Sequence, residues 1–150
     1  MKIRVCRLDP AVALPAYQSE GAAAFDLAAR DEVVIGPREI RLVATGLVIE
    51  APPGHFLAIV ARSSLPLKKG LVVANAVGVV DRDYCGPADE VKVQVMNVGE
   101  QPVTIARGER IAQGLILPVT RVEFEEVGTI AADSRGGFGS TGGYSTSRPT

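Results

Sequence analysis

The stretch Gly78-Val-Val-Asp81-Arg-Asp-Tyr84-Cys-Gly86 places a carboxylate at the end of a short apolar run and an aromatic ring three residues later. Apolar and polar residues then alternate over residues 91–98, which is the pattern of a strand with one buried face. We therefore predict that residues 76–98 form a β-hairpin with a long tip. A carboxylate beside a ring at this tip indicates a ligand site.

The rest of the chain has the same short-strand character. Turns rich in glycine and proline separate the apolar runs, and no segment of helical periodicity reaches about ten to twelve residues. The fold is therefore predicted to be all-β. The further predicted strands cover residues 2–8, 32–35, 40–49, 56–61, 104–105, 110–119 and 121–127.

Length and charge limit the possible functions. A chain of 150 residues is long enough for one domain with a real core. Its 16 basic and 17 acidic residues nearly cancel, so we expect no stable binding to nucleic acid or to an anionic membrane. No apolar run approaches the roughly 18 residues of a membrane helix, and the chain opens like a strand rather than a signal peptide. These features predict a cytoplasmic protein.

The composition also disfavours a metal centre built from protein ligands. His55 is the only histidine, and Cys6 and Cys85 lack the spacing of a metal-binding pair. Neither a zinc site nor a histidine-based nucleophile relay is expected.

Two polar residues lie inside apolar segments. Asp26 follows Phe25, and Gln113 follows Ala112. A buried carboxylate or amide needs hydrogen-bonding partners. For Asp26 the local sequence favours a structural hydrogen bond to the backbone, and for Gln113 a core hydrogen bond and a ligand contact both stay open.

The segment Arg62-Ser63-Ser64 stands at the end of a predicted strand. A guanidinium fork, two hydroxyls and turn amides are the groups that hold phosphate oxygens. The alternative is a solvated turn with a serine cap, and the three residues taken alone favour it.

The composition changes after residue 127. Residues 128–150 carry almost no aliphatic side chains and include Arg135-Gly-Gly-Phe138-Gly-Ser140-Thr141-Gly142. One reading is a disordered tail. The other is a tail that orders on a ligand, because it combines an arginine, a stacking ring and hydroxyls among free amides.

Five stretches, in this order along the chain, resemble the five motifs of the homotrimeric deoxyuridine triphosphate nucleotidohydrolases (dUTPases). The resemblance covers nearly the whole chain, and its most specific parts are Gly-Val-Val-Asp with a following tyrosine and the glycine-rich tail. The five stretches are Ala23-Ala24-Phe25-Asp26-Leu27, Arg62-Ser63-Ser64-Leu65, residues 75–86, Gly108-Glu109-Arg110-Ile111-Ala112-Gln113 and Arg135-Gly-Gly-Phe138-Gly-Ser140-Thr141-Gly142.

This resemblance implies a distorted jelly-roll, also called a β-clip, over residues 1–127 and a flexible C-terminal arm over residues 128–150. It implies a homotrimer whose active sites each draw on three subunits. The first, second and fourth motifs would come from one subunit, the hairpin from another and the arm from the third. The implied reaction is hydrolysis of dUTP to dUMP and pyrophosphate, which limits uracil incorporation into DNA and supplies dUMP for thymidylate synthesis.

The resemblance also assigns roles to residues. Asp81 would be the general base for a water that attacks the α-phosphorus. Mg²⁺ would be held by the substrate phosphates, with Asp26 contacting it through water. The phosphates would be bound by Arg62, Ser63, Ser64, Gln113, Arg135, Ser140 and Thr141. Uracil and deoxyribose would be bound by Asn75, Gly78, Val79, Val80, Tyr84, Lys92 and Phe138.

The tip of the hairpin differs from the usual pattern of this family. Cys85 precedes Gly86, and Pro87-Ala-Asp89 is inserted before the returning strand. An insertion at this point is expected to affect how far the backbone at Lys92 extends toward the ligand.

Two other functions remain open at this point. A dCTP deaminase of the same fold superfamily shares an Arg-Ser-Ser element, and ammonia release from dCTP would identify it. A nucleotide-binding regulatory trimer without turnover would lack the base or the tail, and both are present here.

Overall fold

The computed structural model describes residues 1–130, 133–134 and 136–137. Within these residues the chain forms short strands and one helix of five residues, so the all-β prediction is confirmed. No helix of the described residues is long and apolar enough to cross a membrane. The elements are β1 (Arg4–Arg7), β2 (Phe25–Ala28), β3 (Val33–Ile35), β4 (Ile40–Ala44), β5 (Leu47–Glu50), β6 (His55–Ala61), α1 (Leu65–Lys69), β7 (Leu71–Val73), β8 (Gly78–Val80), β9 (Lys92–Asn97), β10 (Val103–Ile105) and β11 (Arg110–Pro118).

The strands pair antiparallel in four small sheets. The largest has the order β2-β11-β6-β8, and a second has the order β4-β9-β7. Two further pairs join β1 to β5 and β10 to β3. Strands that are distant in sequence therefore lie side by side, which is consistent with a jelly-roll.

One compact unit spans Met1–Thr120, and the segment Arg121–Thr150 forms a separate unit. The core of the first unit comes from the inward faces of several strands. In β9, Val93 and Val95 are buried, whereas Lys92 points to solvent, as the alternation of apolar and polar residues predicted. The other large, fully buried apolar side chains include Leu27, Ile35, Val43, Ile49, Leu57, Leu71, Val91, Ile105 and Ile111.

Three predicted elements differ in the structure. Residues 76–98 are not a paired hairpin, because β8 pairs with β6 whereas β9 pairs with β4 and β7. The strand predicted over residues 40–49 is divided at Gly46, which has a φ of 71° that ends β4 before β5 begins. The strand predicted over residues 121–127 has no partner strand within the described residues and is irregular chain.

Gly114 lies in the middle of β11, where the strand is paired on both edges. A Cβ at this position would overlap the ring of Phe25 and stand 3.1 Å from Leu57 Cδ1. We expect Gly114→Ala to lower the free energy of unfolding by about 1–3 kcal/mol, because buried overpacking forces neighbouring side chains to move.

Urea unfolding at fixed protein concentration measures this effect. Gly21→Ala is a matched control, because nothing lies within 4 Å of the added Cβ. Equal stabilities of the two variants would contradict the prediction.

Candidate active site

The carboxylate of Asp26 is held by two arginines. Its side chain is 5% exposed, and it accepts hydrogen bonds from Arg62 Nε at 3.1 Å and from Arg110 Nη1 at 3.0 Å. Asp26 therefore has the partners that its apolar surroundings require. The backbone partner favoured by the local sequence is wrong, since both carboxylate oxygens pair with side chains far away along the chain.

A β-bulge explains how Arg110 and Gln113 both face the same side of the sheet as Asp26. Gln113 lies directly opposite Asp26 on β11, and Arg110 lies opposite Ala28, with a register shift between Arg110 and Ala112. Residues three apart on a regular strand face opposite sides of a sheet. The extra residue of the bulge returns Arg110 to the face that carries Asp26 and Gln113.

Arg110 is the functional candidate that the sequence analysis did not assign. The carbonyl oxygen of Arg110 also accepts a hydrogen bond from Arg62 Nη1 at 3.3 Å, so the two arginines are linked. Two guanidinium groups and one carboxylate leave a net positive charge, and each guanidinium carries five N–H donors. The cluster can therefore hold an anion as well as Asp26. The sequence did contain a signal for Arg110, because this residue lies within the fourth motif stretch, residues 108–113.

The serines of the second motif lie next to this cluster. Ser64 is the N-cap residue of α1, but its side chain makes no capping hydrogen bond. The serine-cap alternative is therefore wrong, and the Ser64 hydroxyl is not used by the helix. Ser63 is exposed, and Gln113 is half-buried.

Asp81 and Tyr84 lie together after β8. The N–H of Tyr84 donates to the carbonyl oxygen of Asp81 at 3.2 Å, which closes a turn. The Tyr84 hydroxyl donates to the carbonyl oxygen of Glu90 at 3.2 Å. Both Asp81 and Tyr84 are exposed, so a carboxylate and a ring face solvent at one place.

The gap between β7 and β8, residues 74–77, connects edge strands of two different sheets. Ala76, within this gap, adopts a φ of 58°, a conformation that costs about 1–3 kcal/mol for a residue other than glycine. Lys92 pairs with Ala44 of β4, and β7 stops before reaching the other edge of β9 at this position. β8 is an edge strand of its sheet, so its outer edge has no partner strand within the described residues.

Gly78 lies at the start of β8, where space is limited. A Cβ at this position would stand 3.1 Å from Ile59 Cβ and 3.6 Å from Asn75 Nδ2. The Asn75 amide is therefore close to the Gly78 backbone. A larger residue at position 78 would displace one of these neighbours.

The inserted tip is a closed turn. The N–H of Gly86 donates to Asp89 Oδ2 at 2.7 Å, and the N–H of Asp89 donates to the carbonyl oxygen of Gly86 at 3.1 Å. Pro87 and Ala88 therefore project as a compact loop, and the strand that starts at Lys92 keeps its regular pairing with β4.

The two groups of site residues lie at opposite ends of one sheet. Val80 pairs with Leu57 near the start of β6, so Asp81 continues past that end, whereas Arg62 follows the last residue of β6. Six residues at about 3.3 Å each separate the two ends by roughly 20 Å. One chain therefore does not bring Asp81 together with Asp26, Arg62 and Gln113. The predicted residues Arg135, Phe138, Ser140 and Thr141 lie outside the described residues.

Glu109, within the same stretch as Arg110, is paired with Lys69. Lys69 Nζ lies 2.7 Å from Glu109 Oε1, and Glu109 Oε2 accepts the Ala106 N–H at 3.0 Å. Burial acts to raise the pKa of Glu109, but these hydrogen bonds and the lysine charge outweigh it and hold the pKa below its usual value.

A lowered pKa in the folded state stabilises the protein above the unfolded pKa of 4.5. This contribution is lost as the pH falls through the folded value. We expect the free energy of unfolding to decline on acidification below pH 4.5, and Glu109→Gln to show a shallower decline. Because the Lys69–Glu109 pair is partly exposed, the free energies of unfolding of the unaltered chain and of Glu109→Gln should differ by up to about 1 kcal/mol near neutral pH. Urea unfolding across this range measures it, and parallel curves would refute the assignment.

A comparison with protein-family models matches residues 11–142 to the dUTPase model. A deoxyuridine 5'-triphosphate nucleotidohydrolase of Anaeromyxobacter sp. (strain Fw109-5) is 48% identical over 141 residues, covering 93% of this chain and 94% of the relative. One from Methylocella silvestris is 50% identical over 135 residues, covering 86% of this chain and 82% of the relative.

Solved structures agree with these relatives. The crystal structure of dUTPase from Streptococcus mutans is 32% identical with a TM-score of 0.75, covering 83% of this chain and 100% of that chain. The dUTPase of Staphylococcus bacteriophage 80alpha, solved with dUPNHPP, has a TM-score of 0.84 at 23% identity over 94% of this chain and 98% of its own, which shows a shared fold. Family model, relatives and fold agree, and the chain belongs to the dUTPase family.

Proposed function

We propose that this protein hydrolyses dUTP to dUMP and pyrophosphate. The observation that carries the proposal is the family match over residues 11–142, which spans all five motif stretches. Relatives at 48% and 50% identity are named deoxyuridine 5'-triphosphate nucleotidohydrolases. The reaction would keep uracil out of DNA and supply dUMP, and the nucleotide pools that it acts on suggest a cytoplasmic location.

In this proposal Asp81 is the general base. Its carboxylate takes a proton from a water molecule while the water oxygen attacks the α-phosphorus in line. The bond from the α-phosphorus to the bridging oxygen breaks, and pyrophosphate leaves with that oxygen. The exposure of Asp81 supports this role, because a base must reach both water and substrate.

Binding of the triphosphate falls to the cluster around Asp26. Arg62, Ser63, Ser64 and Gln113 donate to phosphate oxygens, and Arg110 adds positive charge to the same face. The Ser64 hydroxyl makes no capping hydrogen bond to α1, which supports this assignment. Arg135, Ser140 and Thr141 of the arm would close over the phosphates.

Mg²⁺ fits this site only as an ion carried by the substrate. Among the described residues no group of three or more His, Cys, Asp or Glu side chains could form a protein cage. Both oxygens of Asp26 are already paired with arginines, which leaves the carboxylate to act through water. Bound to the triphosphate, Mg²⁺ would supply neutralising charge and order the phosphates.

The gap between β7 and β8 is the proposed site for the uracil ring. Backbone groups of Gly78, Val79, Val80 and Lys92, together with the Asn75 amide, would pair with its polar edge. A base with the reversed donor pattern, such as cytosine, would leave those groups unpaired. Tyr84 would lie against the deoxyribose, and Phe138 would stack on the base.

The separation of Asp81 from Arg62 supports a homotrimer with shared sites. The roughly 20 Å between the two ends of β6 exceeds what one nucleotide site can bridge within a chain. Val34, Ile40, Leu42 and Val79 are each more than half exposed, and exposed apolar groups favour burial against other copies. A closed cyclic trimer would cover such surface and complete three sites.

The arm, residues 128–150, is proposed to complete the site of a neighbouring subunit. A chain that ends after Asp133 lacks the Arg135 fork and the Phe138 ring. We expect its kcat/KM for dUTP to fall at least about tenfold, because each of these contacts contributes on the order of 1 kcal/mol or more. Light scattering should still report a trimer. Unaltered turnover would rule out the closing role.

Pyrophosphate release from dUTP, dTTP, dCTP and UTP tests the function as a whole. We expect turnover with dUTP and Mg²⁺ and little with the other three nucleotides. Absence of release from dUTP would end the proposal. Ammonia release from dCTP would indicate a deaminase instead.

A further inference from the structure

The carboxylate of Glu90 anchors the loop tip to the core. Its side chain is 9% exposed, and Oε1 accepts the Gly46 N–H at 2.7 Å and Arg30 Nη1 at 3.0 Å. Gly46 has a φ of 71°, and its N–H points away from the strand ladder toward this carboxylate. Glu90 is therefore fixed by a backbone amide and a guanidinium together.

The backbone after Glu90 is equally fixed. The N–H of Val91 donates to the carbonyl oxygen of Leu47 at 2.8 Å. The carbonyl oxygen of Val91 accepts both the N–H and the hydroxyl of Thr45, the latter at 2.6 Å. The loop that starts after β8 thus rejoins the buried framework at Glu90.

Tyr84 is held between this anchor and Asp81. Its N–H donates to the Asp81 carbonyl oxygen, and its hydroxyl donates to the Glu90 carbonyl oxygen, both at 3.2 Å. Tyr84 is 42% exposed. Residues 85–89 between the two points close on themselves through the hydrogen bond from the Gly86 N–H to Asp89 Oδ2.

We propose that Glu90, fixed by Arg30 and the Gly46 amide, is a positioning residue for Tyr84 and thereby for the choice of deoxyribose over ribose. The proposal rests on the dUTP hydrolysis proposed above, in which Tyr84 lies against the sugar. A rigid ring excludes an extra hydroxyl only while it cannot retreat, and supporting contacts decide whether it can. If the side-chain anchor is lost, the peptide that carries the Glu90 carbonyl oxygen keeps the bond from the Val91 N–H to Leu47 but loses the support of Arg30 and the Gly46 amide, and the acceptor of the phenol gains room to move.

The test compares kcat/KM for dUTP with kcat/KM for UTP, both from pyrophosphate release. Glu90→Ala is expected to lower the dUTP-to-UTP ratio about tenfold. Tyr84→Phe removes the hydrogen bond to the Glu90 carbonyl oxygen but keeps the Glu90 side-chain anchor, and it is expected to lower the ratio by less. The double variant should lower it no further than Glu90→Ala alone, because in the proposal the anchor acts on the sugar only through the hydrogen bond that Tyr84→Phe removes.

Glu39→Ala is the matched control. Glu39 also accepts a backbone N–H, that of Gly36 at 2.7 Å, and pairs with an arginine, but it lies in the turn before β4. The dUTP-to-UTP ratio of kcat/KM for Glu39→Ala should equal that of the unaltered chain. If Glu90→Ala does not fold, Glu90→Gln keeps the volume and an acceptor oxygen and should shift the ratio in the same direction by a smaller factor.

Equal losses on dUTP and UTP in the Glu90 variants would overturn the proposal and leave Glu90 a purely structural residue. Additive effects in the double variant would overturn it as well.

A second measurement needs no turnover. In protein with ¹³C-labelled tyrosine and no nucleotide, the Tyr84 signal is identified by its loss in Tyr84→Phe. We expect it to shift or broaden in Glu90→Ala and to stay in place in Glu39→Ala. An unmoved Tyr84 signal in Glu90→Ala would overturn the anchor, whereas failure to hydrolyse dUTP would overturn only the proposed function.

Discussion

Replacing Asp81 by asparagine is expected to lower kcat for dUTP by roughly two to four orders of magnitude, the usual contribution of a general base. Asparagine has nearly the same shape but cannot accept the proton from the attacking water. Because Asp81 is exposed and the turn to Tyr84 uses only its carbonyl oxygen, the fold should be unaffected. KM should change little, since the phosphates and uracil are bound by other residues.

The control for this variant is Asp83→Asn. Asp83 is an exposed carboxylate in the same turn, two residues further on. It should retain ordinary turnover, which separates the loss of a base from a general loss of negative charge near the substrate. Turnover of Asp81→Asn within about threefold of the unaltered chain would mean that another group takes the proton.

The sequence predicted which residues face inward more reliably than which strands pair. The alternation over residues 91–98 correctly placed Val93 and Val95 in the core. The same pattern carries no information about partners, and β8 and β9 joined different sheets. A period of two specifies a face, whereas pairing depends on every competing strand in the chain.

Asp26 illustrates the same limit within the site. An acid inside an apolar run must have a partner, and the sequence predicted that much. Its partners Arg62 and Arg110 are 36 and 84 residues away along the chain, and a bulge decides that Arg110 faces it. The local sequence around Asp26 shows neither the distant arginines nor the bulge, so it favoured a backbone partner.

The sequence did not show whether the inserted tip, Pro87-Ala-Asp89, alters the backbone at Lys92. Pro87-Ala-Asp89 closes on Gly86 and leaves the start of β9 in register with β4. The residue that the sequence analysis passed over was its neighbour Glu90. Buried acids are rare without partners, but only the fold shows that the partners are the Gly46 amide and Arg30.

Chains that carry Asp81→Asn and chains that carry Arg62→Met should restore each other's activity when they assemble together. Each variant alone has three defective sites. If a site takes Asp81 from one subunit and Arg62 from another, random assembly of equal amounts leaves about one quarter of the sites with both residues intact. Mixtures should be refolded together from denaturant, so that subunits exchange, and then assayed for pyrophosphate release.

The control mixes the double variant with the unaltered chain. If sites are shared, about one quarter of them are again intact, because the subunit that contributes Asp81 and the subunit that contributes Arg62 must both be unaltered chains. For sites built within one chain, the first mixture would stay inactive and the control would keep about one half of its sites. The ratio of the activities of the two mixtures therefore distinguishes sites shared between subunits from sites built within one chain, and it does not depend on absolute rates. Since β6 holds Asp81 and Arg62 roughly 20 Å apart, we expect the two mixtures to be equally active.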